Sequence, residues 1–309
     1  MTSGIHHITA IASSAADCVH FYTKILGLRL VKKTVNQDDT TAYHLFFGDK
    51  SGQPGMDLTF FIFKPAMQGS VGTGMVSAIS LAVPAGSLVF WQQRFEQFGV
   101  QHQAIEERFE HQRLRFSDTD GQKLELVEVA DFDDESHVWT TEEVSKEHAI
   151  RHFYSATLSV VSLATIEPVL THVLGYIATD FEDEHRHVYN LVDQKRAAFL
   201  EVSEQPSATT GLNAAGTVHH IAFRAKDEKQ QLAMRQRVLE LGLYPTEVIN
   251  RYYFKSVYFR VPAGILFEIA TDGPGFTVNE SVDTLGERLD LPPFLEDQRS
   301  EIAAGLEPL

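Results

Sequence analysis

The sequence predicts an α+β fold: four modules of order β-α-β-β-β, forming two domains with curved mixed sheets. Two observations predict it. The tripeptide His-His-Ile occurs twice inside short apolar runs, as GIHHITAI at 4–11 and TVHHIAFRA at 217–225. Around each copy, and twice more between them, one order of elements returns in units of about 50–60 residues, a size that marks repeated units.

Module one spans 4–63. The strand-like run HHITAIA leads to an amphipathic helix, AADCVHFYTKILG, which stops at Gly27. Three strand-like runs follow, LRLVKKTVN, AYHLFFGD and DLTFFIF, with the turn residues Gly52, Pro54 and Gly55 before the last. Module two, 75–130, repeats this with VSAISLAVP, a helix through VFWQQRFEQFG, then VQHQAIEER, HQRLRFSD and KLELVEV. Module three, 154–204, is a weaker copy: SATLSVVS, a helix through IEPVLTHVLG, then HVYNLVD and AAFLEVS. Module four, 217–271, has VHHIAFRA, the helix KQQLAMRQRVLELGL, then PTEVINRYY, SVYFRVP and LFEIAT. An acidic seam without strand pattern, 131–147, divides an N-terminal half (1–135) from a C-terminal half (148–272). The tail, 273–309, is expected to pack on the second half. A module of one helix and four strands cannot bury its sheet alone, whereas two side by side form a curved sheet with a concave face for a small ligand.

Composition bounds the function. A chain of 309 residues is long for one core and comfortable for two. With 43% hydrophobic and 22% charged residues it reads as globular, and no apolar run approaches the roughly 20 residues of a membrane span. The N-terminus, Met-Thr-Ser-Gly, lacks a basic region and an apolar core, so a cytoplasmic protein is expected. The single cysteine, Cys18, excludes an intramolecular disulfide and a Cys-rich metal site. A net charge of −16 argues against nucleic acid or an anionic membrane as partner. Homo-oligomer formation is left open.

The modules differ where chemistry would sit. Their first strands carry His6-His7 in module one and His219-His220 in module four, against Ser77-Ala78 in module two and Ser155-Ala156-Thr157 in module three. Four residues after the turn glycine of the last strand stand Glu125 and Glu268 in modules two and four, but Thr59 in module one; module three has Glu201. If modules one and four share a cup, His7, His220 and Glu268 converge. Two imidazoles and one carboxylate with adjacent open positions form the facial set of non-haem Fe(II) oxygen chemistry. Alternation puts Ile221 and Phe223 on the face opposite His220, and Glu268 opposite Phe267 and Ile269. An acid between two large apolar residues is costly unless a cation or hydrogen bonds receive it. Glu125 and Glu201, lacking partner histidines, read as structural. Histidines in polar or irregular stretches, such as His152 and His187, read as solvated.

These motifs resemble the vicinal oxygen chelate superfamily of glyoxalases, bleomycin resistance proteins and extradiol dioxygenases. Within it, GIHHITAI, LGLRLVKKTVN, YHLFFGD and the block YFKSVYFRVPAGILFEIATDGPGF look like ring-cleaving dioxygenases that act on hydroquinones, and the likeness extends into the tail through LPPFLEDQR. The resemblance implies Fe(II), with Mn(II) or another divalent metal as alternatives, held by His7, His220 and Glu268. It also implies site roles around the ligands for His6, His219, Thr9, Arg251 and Tyr258. Strict alternation, however, puts His6 and His219 on the strand face opposite the ligands. The substrates implied are a small aromatic diol, hydroquinone-type or catechol-type, and O2. Tyr258 or a histidine would accept or orient the phenolic proton, and Arg251 or a histidine would stabilise charge on reduced oxygen. Two rivals remain: a glyoxalase-type metal-dependent isomerase or lyase, which Thr59 disfavours, and a metal-free protein that binds aromatic compounds and confers resistance.

Overall fold

The computed structural model describes residues 1–132, 134–183 and 185–309; Asp133, within the acidic seam, lies outside them. Module one consists of β1 (Ile5–Ala12), a helix, β2 (Arg29–Asn36), β3 (Asp39–Gly48) and β4 (Asp57–Ile62). The helix starts as α1 (Ala15–Val19), its first turn capped by Ser14, whose hydroxyl accepts from the Asp17 amide. It continues as a π-helical turn, His20–Ile25, and ends before Gly27, whose φ of +68° suits a residue without Cβ. Module two comprises β5 (Met75–Pro84), α2 (Leu88–Phe98), β6 (Glu106–Arg108), β7 (His111–Ser117) and β8 (Lys123–Val129). Module three comprises β9 (His152–Val160), a π-helical segment (Val169–Leu174), β10 (Ile177–Asp183), β11 (Arg186–Asn190) and β12 (Phe199–Glu204). Module four comprises β13 (Thr217–Ala225), α3 (Glu228–Glu240), β14 (Ile249–Asn250), β15 (Lys255–Arg260) and β16 (Leu266–Thr271). The short α4 (Arg299–Gly305) closes the tail.

The strands form two eight-stranded sheets, ordered β14-β15-β16-β13-β1-β4-β3-β2 and β10-β11-β12-β9-β5-β8-β7-β6. Modules one and four thus make one cup, and modules two and three the other. The halves 1–135 and 148–272 are not the two cups, because each cup takes one module from each half. The reason lies in strand edges. Each first strand pairs in parallel with the last strand of its own module, leaving one free edge, and β13 takes that of β1 while β9 takes that of β5.

The convex faces and helices share one apolar core that includes Ile8, Phe21, Leu81, Trp91, Leu158 and Ile221. Period-2 alternation does this: Ile8 and Ile221 enter the core while His7, Thr9 and His220 face the cup. The tail departs from expectation and packs mostly on module one rather than on the second half. Val35 clusters with Leu291, Leu295 and Ile302, and the buried Lys32 ammonium meets Glu280 and Asp290. From module four, the Tyr253 hydroxyl donates to Asp290 at 2.7 Å, so the tail ties both modules of this cup together.

Candidate metal centre

The pairing of β1 with β13 sets Thr9 opposite His220 and His7 opposite Ala222, while Glu268 on β16 is paired with Ala222. The two His-His-Ile copies therefore lie side by side at the centre of one sheet. His7 Nε2 is 3.2 Å from Glu268 Oε2 and 3.3 Å from His220 Nε2, and His220 Nε2 is 3.0 Å from the same oxygen. All three residues are buried, Glu268 completely. Yet neither Glu268 oxygen makes a hydrogen bond of acceptable geometry. An ionised carboxylate does not stay buried without partners, so three donor atoms aimed at one point fit a cation. Ligands at right angles about 2.1 Å from an ion would stand about 3.0 Å apart. Among the described residues this is the one group able to hold a metal ion.

His6 and His219 escape the alternation rule by a common device. The β1–β13 ladder skips one residue between Ile5 and His7 and one between His220 and Val218. Each skipped residue is a histidine at a β-bulge, where an extra residue leaves the pleat and its side chain is re-aimed. His6 Nδ1 then lies 3.0 Å from His7 Nδ1, and His219 Nδ1 lies 2.8 Å from His220 Nδ1. The tautomers follow from the ends of these chains. His6 Nε2 faces the Thr271 carbonyl at 3.2 Å and must donate to it, so His6 Nδ1 accepts from His7 Nδ1–H. The His7 Nε2 lone pair is left to face Glu268 and His220. An accepting His219 does the same for His220. Burial, with the adjacent His7, pulls His6 down to about 3, and burial with His220 pulls His219 to about 4. Both therefore stay neutral and able to accept.

The wall carries further groups. Thr9 Oγ1 lies 3.0 Å from His220 Nε2 and 2.8 Å from Thr59 Oγ1, and His44 Nε2 lies 2.9 Å from Thr59 Oγ1. Tyr258, opposite Glu268 on β15, sets its ring edge-on to His220. Burial and Glu268 push its phenol well up, against the pull of Arg251, so it remains protonated. Arg251 lies over the Tyr258 ring and grips Asp38 with two hydrogen bonds, 2.9 and 2.7 Å. Gln37 donates to the Arg251 carbonyl at 2.8 Å. His44, Tyr258, Arg251, Asp38 and Gln37, with Phe46, Phe61 and Phe254, enclose a cavity of about 40 Å³ beside His7 and His220.

Sequence reading missed His44, Gln37 and Asp38. His44 was detectable, since alternation puts it on the face of Phe46 and toward the cup. Asp38 and Gln37 sit in the β2–β3 turn and had no signal. His152, read as solvated, is buried with Nδ1 2.8 Å from the Phe153 carbonyl. Glu125 and Glu201 lie in the other cup around Arg113, whose Nη1 is 2.8 and 2.6 Å from them.

A fold of paired modules around a buried two-histidine, one-carboxylate group defines a class of metal-site proteins. The chain belongs to the Glyoxalase/Bleomycin resistance protein/Dioxygenase superfamily, whose family model matches residues 4–126 and 134–269. It is 41% identical over 307 residues to a Bacillus subtilis protein named as the ring-cleaving dioxygenase MhqO, covering 99% of this chain and 96% of that one. It is 33% identical to the chlorohydroquinone/hydroquinone 1,2-dioxygenase of Sphingobium indicum, covering 97% and 94%. A crystal structure from Bacillus subtilis, named as a dioxygenase, superposes with a TM-score of 0.94 at 40% identity, covering 100% of this chain and 97% of that one. Glyoxalase I of Zea mays, at 15% identity and a TM-score of 0.65 over 87% of this chain and 92% of that one, shares the fold.

Proposed function

We propose that the chain is a metal-dependent ring-cleaving dioxygenase that opens a hydroquinone-type ring with O2, using Fe(II) held by His7, His220 and Glu268. The observation that carries this reading is the convergence of three buried ligand atoms on one point while the Glu268 oxygens lack hydrogen bonds. The near full-length relatives named as ring-cleaving dioxygenases, one of them acting on hydroquinone, support the reaction class. Thr59 supports it against a four-ligand isomerase, because its hydroxyl is engaged by Thr9 and His44 where a second carboxylate would be needed.

An Fe(II) held by these three residues would supply the binding and activation of a ring hydroxyl and O2. The protein supplies the rest. Phe46, Phe61 and Phe254 form the apolar wall against which the ring lies. Tyr258, a donor because its phenol stays protonated, orients a ring oxygen, and Arg251 behind it offsets negative charge gathered on oxygen in a dry cup. His44 lines the same cavity outside the ligand set; burial, with His7 and His220, pulls it well below its ordinary range, so it stays neutral and able to accept the ring hydroxyl's hydrogen bond. His6 and His219 hold the ligand imidazoles in the tautomer that leaves Nε2 free. Opening the ring between the hydroxyl-bearing carbon and its neighbour puts one oxygen atom on each cut end, giving an acid and an aldehyde.

A cavity of about 40 Å³ is smaller than the ~150 Å³ space that takes up benzene in an apolar core. Substrate admission therefore requires the wall to widen, and the exposed Asp38–Arg251 clasp is the contact we propose parts. The test is anaerobic Fe(II) or Mn(II) loading followed by O2 consumption with hydroquinone and with catechol. Uptake of one O2 per hydroquinone opened supports the proposal. Loss of a thiohemiacetal by isomerisation, without O2 uptake, would point to the glyoxalase-type reaction instead.

A further inference from the structure

The other cup contains the larger cavity, about 470 Å³, and nothing in the reaction above uses it. The strand registers make the two cups directly comparable. Ser80 is paired with Glu125 and Ser155 as Thr9 is with Thr59 and His220, and Thr157 with Glu201 and Ala78 as Ala222 is with Glu268 and His7. The ligand histidines are thus replaced by Ala78 and Ser155. Arg113, at the register position of His44, fills the centre and bonds both Glu125 and Glu201.

One guanidinium would neutralise much of that pair, yet three more arginines surround it. Arg108 Nη2 lies 3.0 Å from Glu125 Oε1 and 3.1 Å from Glu201 Oε2. Arg186 Nη1 is 3.6 Å from Glu201 Oε2, and Arg115 bridges Glu106 and Glu125. Four arginines thus face three glutamates, and Lys123 adds another positive charge at the wall. The cavity lining itself carries four cations, Arg108, Arg115, Lys123 and Arg186, against one carboxylate, Glu125. Such a surplus is at odds with a chain of net charge −16. It attracts anions of a size to enter.

The backbone beside it is strained. Phe109 and Glu110, in the β6–β7 turn, have φ of +49° and +61°, where turns of this kind favour Asn or Gly. The turn holds Arg108 over both glutamates and lays Phe109 near the Arg108 and Arg113 guanidinium groups, at 5.8 and 5.9 Å. Strain kept in a structure at such a point is a pointer to a site.

We infer that this second cup is a binding site for a small organic carboxylate. Guanidinium groups match a carboxylate's two oxygens. The apolar part of the wall, with Val71, Phe116 and Leu124, suits a carbon body rather than an inorganic ion. A cavity of this size lies within the range of ordinary ligand pockets.

The test is calorimetric titration of the purified protein with benzoate, with cis,cis-muconate and with inorganic phosphate. At least one carboxylate should bind saturably, at one site per chain and more tightly than phosphate. Arg115→Gln and Arg186→Gln, at partly exposed positions, should each weaken binding by about tenfold or more, the value of one charge-assisted hydrogen bond. Lys123→Gln, at an exposed position, should weaken it by about threefold. Ring-cleaving turnover should be unchanged in all three variants. Three results would overturn the inference: no saturation by either carboxylate at roughly 10 mM, equal binding of phosphate, or binding that survives the arginine changes and disappears with Glu268→Gln.

Discussion

In the first cup a completely buried carboxylate, Glu268, faces two imidazoles and, among the described residues, no arginine or lysine paired with it. In the second, Glu201 stands at the same register position and faces the guanidinium groups of Arg113 and Arg108. The backbones correspond even in their defects. The β5–β9 ladder skips Ser77 and Tyr154 where the β1–β13 ladder skips His6 and His219. The difference shows how one scaffold deals with a buried negative charge in two ways. Where imidazoles replace small side chains and Arg113 gives way to His44, the centre fits a metal ion. Where an arginine fills the centre, the cation is part of the chain.

The largest effect should come from removing that built-in cation. Arg113→Met leaves Glu125 and Glu201 buried without their main partner and should cost about 3–5 kcal/mol in a denaturant melt, as for other broken buried pairs. Adding Glu125→Gln and Glu201→Gln should restore most of it. A neutral single change would break the comparison. The pH dependence follows from the same contacts. Burial pushes the Glu201 carboxyl up, but Arg113 and Arg108 more than reverse this and leave it below its ordinary value. The unfolded chain then binds this proton more readily, so the stabilisation is present above the unfolded pKa and is lost as pH falls through the lower folded value. Acid melts of wild type should show a loss below about pH 4.5 that is reduced in Glu201→Gln.

Next in size is the orientation of the ligand imidazoles. His6→Ala and His219→Ala should each lower metal affinity by roughly 10–100-fold, the usual cost of losing a partner of a ligating histidine. Ser77→Ala, at the corresponding bulge of the second cup, should leave metal affinity unchanged. His44→Ala should reduce turnover with the bound metal retained, the split expected of a hydrogen-bond acceptor that is not a ligand. The smallest effect belongs to the clasp. The Asp38 carboxylate is mostly exposed, so Asp38→Ala should change KM for the ring by only two- to fivefold or so.

Much of this was legible in the sequence, and the rest failed for identifiable reasons. The four modules showed because their order and turn residues repeat. His7 and His220 stood out because modules two and three have small side chains there, and Glu268 because its acid coincides with a histidine only in module four. His6 and His219 could not be placed, because counting by twos assumes an unbroken pleat and both occupy bulges. Arg113, within HQRLRF, gave no signal of its own, because the glutamates that it meets stand on two other strands. PTEVINRYY reads as a full strand, but the strand is confined to Ile249–Asn250, and Tyr252 at φ +69° turns the chain just after it. Strand β10 went unread because IATDFED lacks an apolar stripe.

The most direct test of the account is metal content per chain after anaerobic loading with Fe(II), compared among wild type, Glu268→Gln and Glu201→Gln. Wild type and Glu201→Gln should each hold about one ion per chain, and Glu268→Gln should lose at least tenfold in affinity, with O2 uptake on hydroquinone falling in step. Metal and O2 uptake retained in full by Glu268→Gln, or metal lost with Glu201→Gln instead, would contradict it.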